Sequence, residues 1–179
     1  IDMTHGGVKI AVSLAKKDET VYAYDIYNTL KSVDKKMLAV YNVKIIDLDY
    51  LKNLNGNLRV IYPVHLPLTK RDIEKYNPSL NYTFLTHHEI IKELLKNWGN
   101  DIPKIEVTGV KGKTSCVFML KEILIDKNPL ILSSLGALLY ENGVKKTLKQ
   151  NISITPANIK ETIDLAYKIA NPICEIAAG

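Results

Sequence analysis

An α/β fold built on parallel strands is what this sequence predicts, and three observations predict it. Short apolar runs of strand length, such as Leu58-Arg-Val-Ile-Tyr62 and Pro129-Leu-Ile-Leu-Ser133, alternate with stretches that are apolar at the helical period. The alternation breaks once, at Gly99-Asn-Asp-Ile-Pro103, a polar, turn-forming segment stopped by proline. After that break a strand, a glycine turn and a helix follow one another directly, the order in which a backbone cradle for an anion is built. The boundary divides the chain into a domain over residues 1–101 and a second unit over residues 102–179.

Within the first domain the pattern is that of a Rossmann-like parallel sheet. A strand is expected to end at Ile1-Asp2, and the turn Thr4-His-Gly-Gly7 leads into a helix over residues 8–16. Strands are expected over residues 21–25, 43–47, 58–62 and 82–85, with a short helix at residues 35–41 and a turn at Asn55-Gly56. Pro63 and Pro67 stop the third of these strands. Thr69 caps a helix that reaches about residue 76, with Asp72 in its first turn. Thr86-His-His-Glu89 has the form of a capping box, in which hydroxyl and carboxylate satisfy each other's end of the backbone. The helix behind it shows Ile90, Ile91, Leu94 and Leu95 on one face.

The second unit reads as a strand over residues 105–108, a helix over 113–125 and a strand over 129–133. A hairpin over residues 137–150 turns at Asn142-Gly143. Thr155-Pro156 opens a helix, hydroxyl as cap and proline at the first helical position, and residues 173–177 form a last strand. The start at Ile1 and the end at Ala-Ala-Gly179 suggest a chain that continues at both ends.

Composition narrows the functional classes. With 46% hydrophobic and 24% charged residues in 179, the chain has the makings of an ordinary packed core. No apolar run approaches the roughly 20 residues that cross a bilayer, and no leader pattern opens the chain, so a cytoplasmic protein without membrane partners is expected. The net charge of +5 comes almost wholly from dispersed lysines, Arg59 and Arg71 being the only arginines. That is a solvated surface that attracts anions and not a nucleic-acid groove. Cys116 and Cys174 have no metal or redox spacing and are expected as buried thiols.

The strongest chemical signal is Val107-Thr-Gly-Val-Lys-Gly-Lys-Thr-Ser115. Glycines let a backbone approach phosphate oxygens, successive N–H groups make a nest, and the following helix offers its positive end. Thr108, Gly109, Val110, Lys111, Gly112, Lys113, Thr114 and Ser115 are therefore the expected ATP-binding residues. Lys113 would reach the β- and γ-phosphates, and the Thr114 hydroxyl would ligate Mg2+. Val107 stands where the strict pattern has its first glycine, and the bland alternative is a glycine turn that only joins strand to helix.

From residue 105 onward the chain resembles the central ATPase domain of the Mur ligase family, whose loop reads T-G-x-x-G-K-[TS] and accepts a valine ahead of it. The resemblance implies the first part of a P-loop ATPase domain of Mur ligase type, and an enzyme that uses ATP to activate a carboxylate. Ile154-Thr155-Pro156 stands where the family has its T-T-P element, and Cys174-Glu-Ile-Ala177 resembles the family strand that ends in glutamate. The resemblance thus implies catalytic roles for Lys113 and Glu175, and metal contacts from Thr114, Glu175 and Thr155. A solvated Glu175 and a Thr155 that is merely a helix cap are the alternatives.

Asp2-Met-Thr-His-Gly-Gly7 and Tyr62-Pro-Val-His-Leu-Pro67 further resemble a methanogen branch of the same family. That branch activates a propionate of a nickel tetrapyrrole precursor and closes a carbocyclic ring, which implies an acidic tetrapyrrole substrate. Ligands of parallel sheets sit beyond the strands' carboxyl ends. Thr4, His5, Gly6, Gly7, Asp25 and His65 fall at such ends and are the expected substrate-binding residues; His87 and His88 are expected to be exposed. The other readings are an amide ligase acting on a UDP-muramyl or glutamyl acceptor, and a module that senses nucleotide without catalysis.

Overall fold

The computed structural model describes residues 3, 6–95, 102–170 and 173–178, which fall into two compact units, Ile1–Leu94 and Leu95–Gly179. In the first, α1 (Gly7–Ala15) precedes β1 (Tyr22–Ala23), and α2 (Ser32–Val40) precedes β2 (Lys44–Ile45). A 3-10 helix, Leu48–Asn53, then leads to β3 (Asn57–Tyr62), α3 (Lys70–Glu74), β4 (Asn81–Thr86) and α4 (His87–Leu94). The 3-10 helix was not foreseen; its cap, Asp47 accepting from Tyr50 N–H at 2.9 Å, is the only local signal for it.

Both foreseen helix caps form. Thr69 and Asp72 exchange hydrogen bonds at the start of α3, and the Glu89 carboxylate accepts from Thr86 N–H at 2.7 Å while Thr86 Oγ1 accepts from Glu89 N–H at 3.2 Å. The strands of this unit run parallel, yet among the described residues they make two separate ladders, β1 with β2 and β3 with β4. Two clusters of buried residues follow these ladders. One cluster gathers Val8, Ala11, Val12, Ala23, Leu38 and Val43, and another gathers Leu48, Leu51, Val60 and Ile73.

The second unit holds β5 (Lys104–Val107), α5 (Lys113–Ile123), β6 (Pro129–Ser133), β7 (Gly136–Glu141), β8 (Val144–Gln150), α6 (Pro156–Tyr167) and β9 (Cys174–Ala178). One sheet runs in the order β5-β9-β6-β7-β8, its first three strands parallel and the hairpin antiparallel. Alternation along the strands sends Ile131, Leu138 and Ile176 to the face where Val117 of α5 packs. Leu130, Leu132, Leu139 and Ala177 go to the face of Ile163 and Ala166 of α6. Asn142 and Gly143 turn the hairpin with φ of 51° and 78°, as a two-residue turn with both central residues left-handed requires.

Candidate functional site

The loop between β5 and α5 is the best-formed site among the sequence-predicted residues. Gly112 is the N-cap of α5 at φ 78°, and Gly109 stands at φ 145°, conformations that a side chain would strain. A Cβ at Gly112 would meet nothing within 4 Å, so backbone conformation and not crowding calls for glycine there. Residues 108–112 are exposed, and Val110 is 94% accessible, so the loop is open to solvent. The first-turn N–H groups of an 11-residue helix have no carbonyl of their own to bind. The Lys113 Nζ donates to Gly109 O at 2.7 Å, which folds the ammonium back over the loop. Thr114, in the same first turn, is half-buried.

Glu175 is elsewhere. The sequence suggests a carboxylate at the carboxyl end of a strand, but Glu175 is the second residue of β9, in register with Lys104. The loop follows Val107, whose partner is Ala178, three residues further along β9 and about 10 Å away at the usual rise of a strand. Glu175 is 3% exposed, and its Oε2 has no hydrogen-bond partner among the described residues. Burial pushes its carboxyl up to about 7; the Lys104 ammonium pulls the other way and Glu106 adds to the rise. Lys104 and Glu106 share its sheet face and were not foreseen, because strand adjacency is what places them there.

Thr155 is the cap that its local pattern describes, its Oγ1 accepting from Asn158 N–H at 3.4 Å. No group of three His, Cys, Asp or Glu that could hold a metal ion occurs among the described residues.

In the first unit, Thr4 and His5 lie outside the described residues. Gly6 caps α1 at φ 93° and Gly7 is its buried first residue. Asp25 follows β1, and its carboxylate closes the next turn by accepting from Leu30 N–H at 2.7 Å. His65 is exposed in the segment after β3. Asp25 and His65 thus do stand beyond strand carboxyl ends, and among the described residues no contact joins them.

Two exposure expectations fail. His87 is 4% exposed, because α4 begins at that residue and carries it on the face of Ile90, Ile91 and Leu94; His88 is exposed as expected. Cys174 is buried, but Cys116 is exposed, on a helix face shared with Met119 and Ile123, 66% and 73% accessible. Apolar neighbours in sequence did not reveal that α5 buries only one side. No helix among the described residues is long and apolar enough to cross a membrane.

The chain is related to curated coenzyme F(430) synthetases. It is 31% identical over 173 residues to that of Methanosarcina acetivorans, covering 89% of this chain and 34% of the relative. To that of Methanocaldococcus jannaschii it is 28% identical over 135 residues, 71% of this chain and 30% of the relative. The chain spans about a third of the length of the curated relatives it matches. No family model matches it. No solved structure matches it.

Proposed function

We propose, with that kinship as premise, that the chain is part of an ATP-dependent ligase of Mur ligase type that activates a substrate carboxylate as an acyl phosphate. The carrying observation is the exposed glycine turn at the head of α5, with free first-turn N–H groups and the Lys113 ammonium folded across it. A triphosphate fits that arrangement: its oxygens would take the N–H groups, and Lys113 would exchange the Gly109 carbonyl for a phosphate. The relatives' name supports a synthetase. The acid that fits best is a nickel seco-tetrapyrrole, supported by the resemblance carried by Asp2 to Gly7 and Tyr62 to Pro67.

In this reading the substrate carboxylate attacks the γ-phosphorus and ADP departs. A carbon nucleophile of the same substrate then attacks the acyl carbon, the ring closes and inorganic phosphate leaves. The protein's part is to position the phosphates and neutralise their charge. Magnesium usually takes one or two protein groups, with phosphate oxygens and water completing its shell. The Thr114 hydroxyl fits that demand and would hold the ion, which adds charge neutralisation. Glu175 and Thr155 are the further groups that the family resemblance offers to the ion; Thr155 Oγ1 accepts one bond from Asn158 N–H as a helix cap and keeps a second lone pair.

Calorimetry on the full-length polypeptide tests the loop: ATP should bind in a magnesium-dependent way, and Lys113→Ala should weaken it roughly a hundredfold, about 3 kcal/mol. Unaltered affinity in the variant rejects the site. Phosphate release on adding the nickel seco-tetrapyrrole acid, and none with UDP-muramyl peptides, supports the substrate; the opposite pattern makes the protein an amide ligase. Binding without turnover on any acceptor makes it a nucleotide sensor.

A further inference from the structure

Two asparagines of the chain are followed by glycine, in Asn55-Gly56 and Asn142-Gly143, and all four residues are exposed. The pairing carries chemistry of its own. A glycine N–H has no Cβ beside it to block approach to the preceding side chain, so its nitrogen can attack the asparagine amide carbon. The attack makes a five-membered imide and releases ammonia, and water then opens the imide to aspartate or isoaspartate. Water is the only other reactant. The nitrogen and the amide carbon must come within about 3–3.5 Å, and the reaction slows steeply where the fold holds them apart.

The structure treats the two pairs differently. Asn142 and Gly143 are the central residues of the β7–β8 turn, at φ 51° and 78°. The paired Glu141 and Val144 close that turn, and Asn142 N–H donates to Asn128 Oδ1 at 3.0 Å. Rotating the Asn142 backbone to bring the Gly143 nitrogen under its side chain would open the ladder from its end. Asn55 has no such hold. It lies between the 3-10 helix and β3, in neither helix nor strand and outside the left-handed region. Its side chain has no hydrogen-bond partner among the described residues. A Cβ at Gly56 would meet nothing within 4 Å, which leaves open space for the imide.

We propose that Asn55 is a self-modification site, where the Gly56 nitrogen displaces ammonia from the side-chain amide and water leaves an acid, while Asn142 is spared. The bond from Gly56 N to Asn55 Cγ forms, the Cγ–NH2 bond breaks, and the Gly56 amide proton leaves with the ammonia. Water then adds across one imide C–N bond: cleavage at Cγ gives aspartate, and cleavage at the backbone carbonyl gives isoaspartate. Isoaspartate routes the main chain through Cβ and Cγ, one carbon longer. The carbonyls on either side are both anchored, Leu54 O by Asn77 Nδ2 and Gly56 O by Asn81 N–H, each at 2.9 Å. The longer chain strains these two bonds and loosens the entry to the β3–β4 ladder.

The test incubates the full-length polypeptide in mildly alkaline buffer and follows both sites by peptide mapping with mass spectrometry. Labelling by an isoaspartyl methyltransferase counts the isoaspartate formed. In the folded protein, loss of Asn55 should run at least about tenfold faster than loss of Asn142. The two rates should converge in urea, where the hairpin no longer holds Asn142. The isoaspartyl fraction should melt about 3 °C lower than the unmodified protein. Equal rates in the folded protein, or a faster loss at Asn142, overturn the proposal. Loss at Asn55 that begins only in urea overturns it too, since the folded loop would then protect that residue. An isoaspartyl fraction with unchanged Tm overturns the link to the ladder.

Discussion

The two units solve the same packing problem to different extents. In Leu95–Gly179 five strands form one sheet, helices cover both faces, and Leu130, Ile131, Leu132 and Ile176 are fully buried. Among the described residues of Ile1–Leu94 the same alternation of strand and helix gives two separate ladders, and a cavity of about 540 Å³ borders both. The difference teaches that a strand–helix pattern fixes which residues are apolar, whereas continuity of the sheet fixes whether their surfaces meet. The proposed phosphate loop belongs to the continuous unit: its glycine turn is held by a strand on one side and an 11-residue helix on the other.

Core truncation breaks the comparison most directly. Leu132→Ala, in the continuous sheet, should cost about 4 kcal/mol in urea unfolding of the 179-residue chain, because closely packed neighbours leave the void unfilled. Leu14→Ala, bordering the cavity, should cost about 2 kcal/mol, since that side chain already lacks contacts on one side. Equal losses would show that the first unit is packed as tightly as the second.

Glycine substitutions sharpen it next. A Cβ on Gly136 would meet Lys149 O at 2.4 Å, beside the register shift between Ala137 and Leu138. Gly136→Ala should therefore cost about 3 kcal/mol. Gly56, at φ 86°, has nothing within 4 Å, so Gly56→Ala should cost about 1 kcal/mol, from backbone strain alone. Thermal melts of the two variants check the ranking.

The last effect depends on pH. The Glu175 carboxyl is raised from 4.5 to about 7 in the folded chain, so between those values the folded state holds a proton that the unfolded state has lost. Stability therefore falls as pH rises from about 4.5 to 7 and levels off above, a loss on the order of 3 kcal/mol at the full shift. Glu175→Gln, neutral throughout, should flatten this slope and stabilise the chain by about 2 kcal/mol at pH 8, with little change at pH 4. A variant stabilised equally at both pH values would refute the assignment. If the variant also lost magnesium-dependent ATP affinity, Glu175 would serve the metal, as the family resemblance implies.

Much of this was legible in the residues. Thr69 with Asp72, Thr86 with Glu89, Thr155 with Pro156 and Asn142-Gly143 each act within a few residues, and each forms as its pattern states. The glycine turn is equally local, and Gly109 and Gly112 adopt the backbone that motivates them. His87 and Cys116 were misplaced, and the strand neighbours of Glu175 missed, for a common reason. Their burial or position depends on which side of a helix meets the sheet, or on which strand lies alongside, and neither is written nearby in the chain.

By itself, then, the sequence determined the α/β class, the order of elements, their caps and turns, and the loop suited to phosphate, because those rest on backbone preferences and contacts a few residues apart. Only the tertiary structure decided that β9 lies between β5 and β6 with Glu175 opposite Lys104, and that the first unit's strands pair two by two around a cavity. Register and adjacency join residues up to some 70 positions apart, and such pairings are chosen by the packing of whole faces against each other.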